Sequence, residues 1–598
     1  MALNMGLNAI GGDPRLSIDA ADPDQAVFVS PKHRLHHDPS VTFEEYHFYA
    51  LKTREIQDRE ALNEPQTKGI LAILFPPKST KIESSPATPP SGGVGEKTSG
   101  ETPPTDGGGR LVVTDEEWVN ASRAMRTATW AACFYLITTD ILGPFGVGYA
   151  IGTLGWGPGI ALFTVFGLMA GYSGYLLWKI YLGLDSFEFP LTNYGDLAFR
   201  LYGTVPRHLV NLLQTIQLLC SVGLIVISNG QAISQVSKFK LCYAVCCVIW
   251  AACGFLIGQV RTLQKFGWLA NAAVFLNLMI MFITMGVIAH SPPNFSISVL
   301  GSVGGSVNVT SITPDADGVY PPIIHNSGLP DPSSLIGSIT GLMQGVYAYG
   351  GAQLFVEFMA EMRRPRDFIK AMWGAQFFIY TVYMVYGCYC YHYQGQYTYS
   401  LAYQGVSPYG WQTAGNMLAV LSGIIAAGLY GNIGIKVLYN QLLIDLFNFP
   451  PLTTRNGRII WATIVPIYWT IAFIIAASIP DFFGLVGVVA AFCVIQFCYS
   501  FPPLLALGYF IKLNAMGDGE GFNPSTGVVT RHDTGIRRWT RGFFGDMWYR
   551  NVFNVIYLGG ALATAGLGAY SSIESMINAF KDTQLNSFNC KSPLNLNG

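Results

Sequence analysis

Between Thr138 and Ala150 the chain reads Thr-Thr-Asp-Ile-Leu-Gly-Pro-Phe-Gly-Val-Gly-Tyr-Ala, which sets Gly143, Pro144, Gly146 and Gly148 close together. Glycines weaken a helix and Pro144 also removes a backbone donor, so a helix is expected to open here. An opened helix leaves N–H and C=O groups beside helix ends, which suit a carboxylate on one side and an ammonium or a cation on the other. A second glycine pair stands in Tyr347-Ala-Tyr-Gly-Gly-Ala-Gln353, with Glu357 and Glu361 following it. Solute binding is therefore expected at Gly143, Phe145, Gly146 and Val147 of the first opening. In the second it is expected at Tyr347, Tyr349, Gly350 and Gly351, and the aromatic members would shape a pocket for an apolar side chain. Asp140 and Glu357 are the carboxyls expected to couple an ion to that solute, because an acidic group deep in an apolar run is by default functional. Glu361 is expected to neutralise the basic run Arg363-Arg-Pro-Arg366, and Lys436 either to stand in for a cation where the first and eighth spans meet or to reach the inner membrane interface. His290 and His392 are expected at the outer interface.

The elements that hold these residues are expected to be membrane helices. Of 598 residues 51% are apolar and 12% are charged, against roughly a quarter charged in soluble proteins. Leu209–Ser237, Ala371–Ile435 and Phe482–Ile511 contain no Asp, Glu, Lys or Arg, and uncharged apolar runs of roughly 18 residues or more mark membrane spans. Eleven spans are expected, near 127–154, 157–183, 206–236, 240–259, 266–289, 334–361, 371–395, 411–442, 458–479, 482–511 and 551–573. Both openings then fall in mid-membrane, where unwound backbone is tolerated only if it is buried in protein or lines a cavity. Residues 1–126 are expected to form a cytosolic, largely disordered region. Within it Thr42–Leu62 could form one amphipathic helix and Pro76–Arg110 is a Pro/Gly/Ser/Thr linker. Met1–Arg15 lacks the pattern of a signal peptide, so the first apolar helix would direct insertion.

Orientation follows from the basic residues. With the N-terminus in the cytosol, the inside loops collect sixteen Lys and Arg, from Arg200 and Arg207 to Arg541 and Arg550. The outside receives Lys238, Lys240, Lys581 and Lys591, in keeping with the positive-inside rule. The loop 290–333 has no Lys or Arg and carries sequons at Asn294 and Asn308, which are glycosylated only on the non-cytosolic side. The sequon at Asn120 falls inside and should be unmodified. Ten of the eleven Cys lie in spans, where small apolar packing is their expected role, and Cys590 lies in the tail. A net charge of −1 gives no reason to expect nucleic acid. No metal-spaced Cys/His cluster, nucleotide loop or catalytic triad is visible, so no metal, cofactor or enzymatic activity is expected.

The run Asp140 to Trp156 resembles the first helix of the amino acid/auxin permease family. Asn193-Tyr-Gly-Asp-Leu-Ala198 and Glu361-Met-Arg-Arg-Pro-Arg-Asp-Phe368 resemble its motifs after the second and sixth spans. The chain is similar in particular to fungal neutral amino-acid permeases of the methyltryptophan-resistance type, from about Glu116 to Phe580. Many relatives carry Leu-Pro where Val147-Gly148 stands. The resemblance implies an all-α integral membrane protein with eleven transmembrane helices. These form two inverted five-helix repeats, with helices 1 and 6 broken, plus one extra helix. The repeats would be 127–289 and 334–511, separated by an extracellular loop 290–333. A cytosolic loop 512–550, the eleventh helix 551–573 and an extracellular tail 574–598 complete the order. The implied activity is proton-coupled symport of neutral amino acids, aliphatic and aromatic, across the plasma membrane. Sodium in place of protons, a vacuolar location and a nutrient-sensing receptor of the same fold are the alternatives.

Overall fold

The structure is a computed structural model and describes residues 27–29, 37–63, 111–113, 126–143, 146–260, 266–302, 313–330, 335–444, 447, 449–450, 455–479, 482–581 and 588–595. Pro144, Phe145, Asn120, Asn308 and the linker 76–110 lie outside the described residues.

Helices dominate. After α1 (Phe43–Asn63), the first apolar region is two helices, α2 (Trp130–Ile141) and α3 (Val147–Leu154), on either side of the expected opening. There follow α4 (Trp156–Leu184), α5 (Tyr194–Tyr202), α6 (Thr204–Val236), α7 (Tyr243–Ile257) and α8 (Phe266–Ile288). The second opening separates α9 (Leu335–Ala348) from a short 3-10 turn, Ala352–Leu354, and α10 (Phe355–Glu361). Then come α11 (Phe368–Gln394), α12 (Tyr409–Val437), α13 (Arg455–Ser478), α14 (Phe482–Val489), α15 (Phe501–Asn514), α16 (Gly535–Phe543) and α17 (Trp548–Lys581). Seven helices are long and apolar enough to cross a membrane among the described residues. The other expected spans fall on shorter helices, on the two broken pairs and on α11.

Local sequence explains the joints. Gly155 turns the chain between α3 and α4 with φ of 85°, and a Cβ there would run into the carbonyl of Gly328. The motif Asn193-Tyr-Gly-Asp closes a capping box. The Asn193 side chain accepts from the Asp196 backbone N–H, and the Asp196 side chain accepts from that of Asn193. α1 lies where Thr42–Leu62 is expected to form a helix. Its Phe43, Tyr46, Tyr49 and Ala50 are buried, and Arg200 lies 4.3 Å from the Tyr46 ring. Two small sheets complete the fold. β1 (Val27–Val29) pairs in parallel with β2 (Leu111–Val113), and β3 (Gly521–Asn523) pairs antiparallel with β4 (Val528–Thr530).

One expectation about cysteines is corrected. Cys242 caps the start of α7 and forms a disulfide with Cys590, 348 residues away. These two are a crosslink rather than packing residues, because the tail returns to the α6–α7 turn. Among the remaining cysteines, Cys133, Cys246, Cys247, Cys390, Cys493 and Cys498 are buried as expected.

Candidate functional site

The two openings touch. A Cβ on Gly351 would collide with Ile141 and stand 2.8 Å from Oδ2 of Asp140, so glycine lets the second opening lie against the first. Side chains from other helices take the backbone groups that the openings release. The Tyr383 hydroxyl of α11 donates to Ile141 O at 2.6 Å and also lies 3.2 Å from Ala348 O, while the Gly143 N–H donates to it at 3.3 Å. Asn277 of α8 donates to Leu142 O at 2.8 Å and is itself held by Ser422 of α12 at 2.7 Å. Gln214 of α6 donates to Gln353 O and, at 2.9 Å, to Glu357 Oε1. Backbone polarity freed in the core is thus satisfied from three packed helices, with Ser422 of α12 holding one of the donors in place, as burial demands. Tyr383, Asn277, Gln214 and Ser422 were not singled out from sequence. Polar residues in apolar helices were the available signal.

A cavity of roughly 120 Å³ lies between the openings. Asp140, Tyr347 and Gly350 line it, with Gln217, Gln344 and Gln353 supplying further polar surface and Ile280, Leu401 and Val494 apolar surface. Tyr430 donates to Asp140 Oδ1 at 3.0 Å, whereas Asp140 Oδ2 is buried without a hydrogen-bond partner. Gln344 Nε2, Gln217 Oε1 and Gln353 Oε1 are likewise buried and unpartnered. The wall therefore offers one amide donor and several acceptors, a set that can orient a zwitterion whose apolar side chain meets the aliphatic part.

The sequence-predicted residues divide into three groups. Asp140, Tyr347 and Gly350 line the cavity and Gly351 lies behind Asp140. Gly146 adjoins it, since a Cβ there would stand 3.0 Å from Gln344 Oε1 and 3.2 Å from Ser400 Oγ. The uncapped N-terminus of α3 begins at this glycine. Gly143 is near but its N–H is taken by Tyr383. Two side chains point elsewhere, which corrects the expectation that Tyr349 shapes the pocket and leaves Val147 only its backbone amide at the start of α3. Val147 packs on Gly387, and Tyr349 is buried against Gly167 and the rings of Phe163 and Tyr383. In the tight turn at 347–350, Tyr347 faces the cavity and Tyr349 faces α4. Phe145 lies outside the described residues.

Below the cavity, toward the end that carries α1, Glu357 is 5% exposed and leaves Oε2 without a partner. Glu361 lies within electrostatic reach of Glu357 and of Lys436. Lys436 is 1% exposed with no hydrogen-bond partner for its ammonium. It does not reach an interface, because packing around α12 encloses it. The start of α2 is pinned to the end of α10, where Ala128 N donates to Glu361 O and Arg363 N donates to Ala128 O, each at 2.9 Å. Beside this bridge Asp185 accepts from Arg54 and, through both oxygens, from Arg126 at 2.6 and 2.8 Å. Burial pushes the Asp185 carboxyl up, but Arg126 and Arg54 outweigh it and hold it below the usual carboxylate range. Burial also raises Glu44, and the hydrogen-bonded Arg531 and nearby Arg538 more than offset this.

Helices long and apolar enough to cross a membrane, with two opened helices meeting at a polar cavity, are the architecture of a multi-pass membrane transporter. Residues 125–515 match the family model described as transmembrane amino acid transporter protein, and the chain belongs to this amino acid permease family. A protein of Fusarium pseudograminearum named transmembrane transporter is 25% identical over 408 residues, 65% of this chain and 76% of its own. The N amino acid transport system protein of Neurospora crassa is 21% identical over 474 residues, 74% of this chain and 84% of its own. Among solved structures, a manganese transporter from Eremococcus coleocola aligns with 78% of this chain and 97% of its own at 15% identity, with a TM-score of 0.37.

Proposed function

We propose that the protein carries neutral aliphatic and aromatic L-amino acids across the plasma membrane together with protons. The observation that carries this reading is Asp140 Oδ2, buried without a partner where both openings and the cavity meet. A buried carboxylate without a second partner is costly, and protonation lowers that cost by removing the charge. Binding a proton there and a zwitterion beside it are therefore favourable together. The substrate carboxylate meets the uncapped start of α3 and Gln344 Nε2. Its ammonium meets Gln217 Oε1, Gln353 Oε1 and carbonyls of the second opening, while Ile280, Leu401 and Val494 take its side chain. Glu357 receives the proton on the way to the cytosol.

The membrane topology belongs to the same proposal. Eleven crossings form two inverted five-helix repeats, 127–289 and 334–511, with 551–573 as the extra helix. The N-terminus and 512–550 face the cytosol, and 290–333, with its sequons at Asn294 and Asn308, and 574–598 face outward. Rocking of one repeat against the other exposes the cavity to each side in turn.

Uptake of labelled leucine and phenylalanine into proteoliposomes under an imposed pH gradient tests the reading. Wild type should accumulate substrate, and Asp140→Asn should keep exchange while losing gradient-driven accumulation. Full coupling in Asp140→Asn removes that carboxyl from the mechanism. Accumulation that follows a sodium gradient instead replaces the coupling ion, and no uptake by inserted wild type refutes transport of these substrates.

A further inference from the structure

The tail beyond α17 makes contacts that an unattached terminus would not. Its Phe588 ring lies 6.0 Å from that of Phe473 on α13. Two backbone bonds then fix it to the start of α7. Tyr243 N donates to Cys590 O at 3.1 Å and Ala244 N to Asn589 O at 3.3 Å, around the Cys242–Cys590 disulfide. A turn follows in which buried Ser592 accepts from Asn595 N through its carbonyl and from Leu594 N through its hydroxyl. Leu594 is 2% exposed and sits in a small apolar cluster, separate from the main core, with Ile280, Ile297, Tyr399, Leu401, Tyr403 and Ala419. Ile280, Leu401, Tyr403 and Ala419 of this cluster also line the cavity between the openings.

We infer that residues 588–595 are an outer strap and that Leu594 is part of the gate over the cavity. Leu401 and Tyr403 belong to the connection between α11 and α12, and Ile280 belongs to α8 of the first repeat. The connection is already laid on α6, since Gln235 donates to Gln404 O and Gln404 donates to Ser228 O, each at 3.1 Å. Leu594 adds an apolar seat shared by both repeats, and the disulfide fixes the strap to α7. Movement of the connection away from α8 must then unseat Leu594, while the strap stays bonded to α7. The closed arrangement is favoured by the burial of this side chain, and the disulfide keeps the side chain close to its seat. Outward placement of the strap rests on the proposed topology.

Labelling of a cysteine at the cavity wall reads the gate directly. In right-side-out vesicles, Ala419→Cys is reacted with a membrane-impermeant thiol reagent, alone and combined with Leu594→Ala or with Cys242→Ser/Cys590→Ser. Both combinations should label faster than Ala419→Cys alone by about threefold or more, as a shift toward the open state requires, with the melting temperature retained. Should the double serine variant fail to fold, Leu594→Ala with its disulfide intact decides the matter. Unchanged labelling in Leu594→Ala overturns the strap, as do free thiols at both Cys242 and Cys590 in the wild type, while leucine uptake shows separately that transport stands. Faster labelling in a protein that takes up no amino acid keeps the strap and refutes the proposed transport.

Discussion

At the end of the molecule that carries α1, Asp185 holds Arg54 and Arg126 while Glu44 holds Arg531 and Arg538, and Glu520 draws in Arg538 and Arg541. At the opposite end, where α6 turns into α7, the tail is fastened by a disulfide and by Leu594 in an apolar cluster. Among the described residues the Lys and Arg ion pairs fall at the first end. The two closures therefore answer to different conditions. Buried ion pairs demand that both partners stay in place, since separating them strands charge in a poor solvent. An apolar seat with a covalent tether is indifferent to charge and yields to redox chemistry or to loss of one side chain. On the proposed topology the ionic closure faces the cytosol and the tethered one faces outward, where disulfides persist.

The comparison breaks most severely at Asp185. It is 0% exposed and pairs with two guanidinium groups, one of them through both carboxylate oxygens. Asp185→Asn leaves Arg54 and Arg126 buried without a counter-charge, at a cost of about 3–5 kcal/mol. The purified variant should melt well below wild type, and α1 should become a substrate for trypsin at Lys52 and Arg54. A melting temperature within a degree or so of wild type would mean that hydration reaches these groups and that the ionic closure is weaker than its geometry suggests.

Acid and reductant should then open the two ends separately. The carboxyls of Glu44, Asp185 and Glu520 all lie below the ordinary carboxylate range. For Glu520, burial acts upward while the Gly517 and His532 N–H groups and two arginines outweigh it. Groups lowered in the folded state stabilise it fully above their unfolded values near pH ~4 and lose that contribution as pH falls through the lowered values. Protection of amides in 43–63, taken relative to the unstructured rate at each pH, should hold from pH 7 down to about 5 and fall below about 4, with protection in 588–595 unchanged. A phosphine reductant at pH 7 should do the reverse. Release of 588–595 by acid ahead of 43–63 would contradict the division.

Much of the site was legible from residue type alone, and the remainder was not for identifiable reasons. Gly143 and Pro144 sit in a run otherwise fit for a helix, and Gly350-Gly351 repeats that conflict, so both openings could be read from local chemistry. Asp140 stood out because a carboxyl in such a run is costly. Tyr383 and Asn277 were invisible because what distinguishes them is three-dimensional. Each faces a released carbonyl that lies far away in sequence. Tyr349 leaves the opening away from the cavity, and proximity to an opening does not say which way a side chain leaves a tight turn. The Cys242–Cys590 bond joins residues that no local pattern connects. Helix positions, by contrast, follow the apolar runs closely, as with 157–183 and Trp156–Leu184.

The smallest effect is expected at Lys52, which separates burial from mere charge at the ionic end. Its ammonium lies 3.8 Å from Glu188 with the lysine side chain 55% exposed, on the same helix as Arg54. Water screens such a pair, and ordering two long side chains offsets its attraction, so it contributes about 0–0.5 kcal/mol. Lys52→Ala should melt with wild type at both low and high salt, although it removes an ion pair only two positions from Arg54. A drop comparable to that of Asp185→Asn would show that the closure is a diffuse charge field, in which case added salt should loosen α1 in the wild type as well. A null result beside a large Asp185→Asn effect places the closure in the few contacts from which water is excluded.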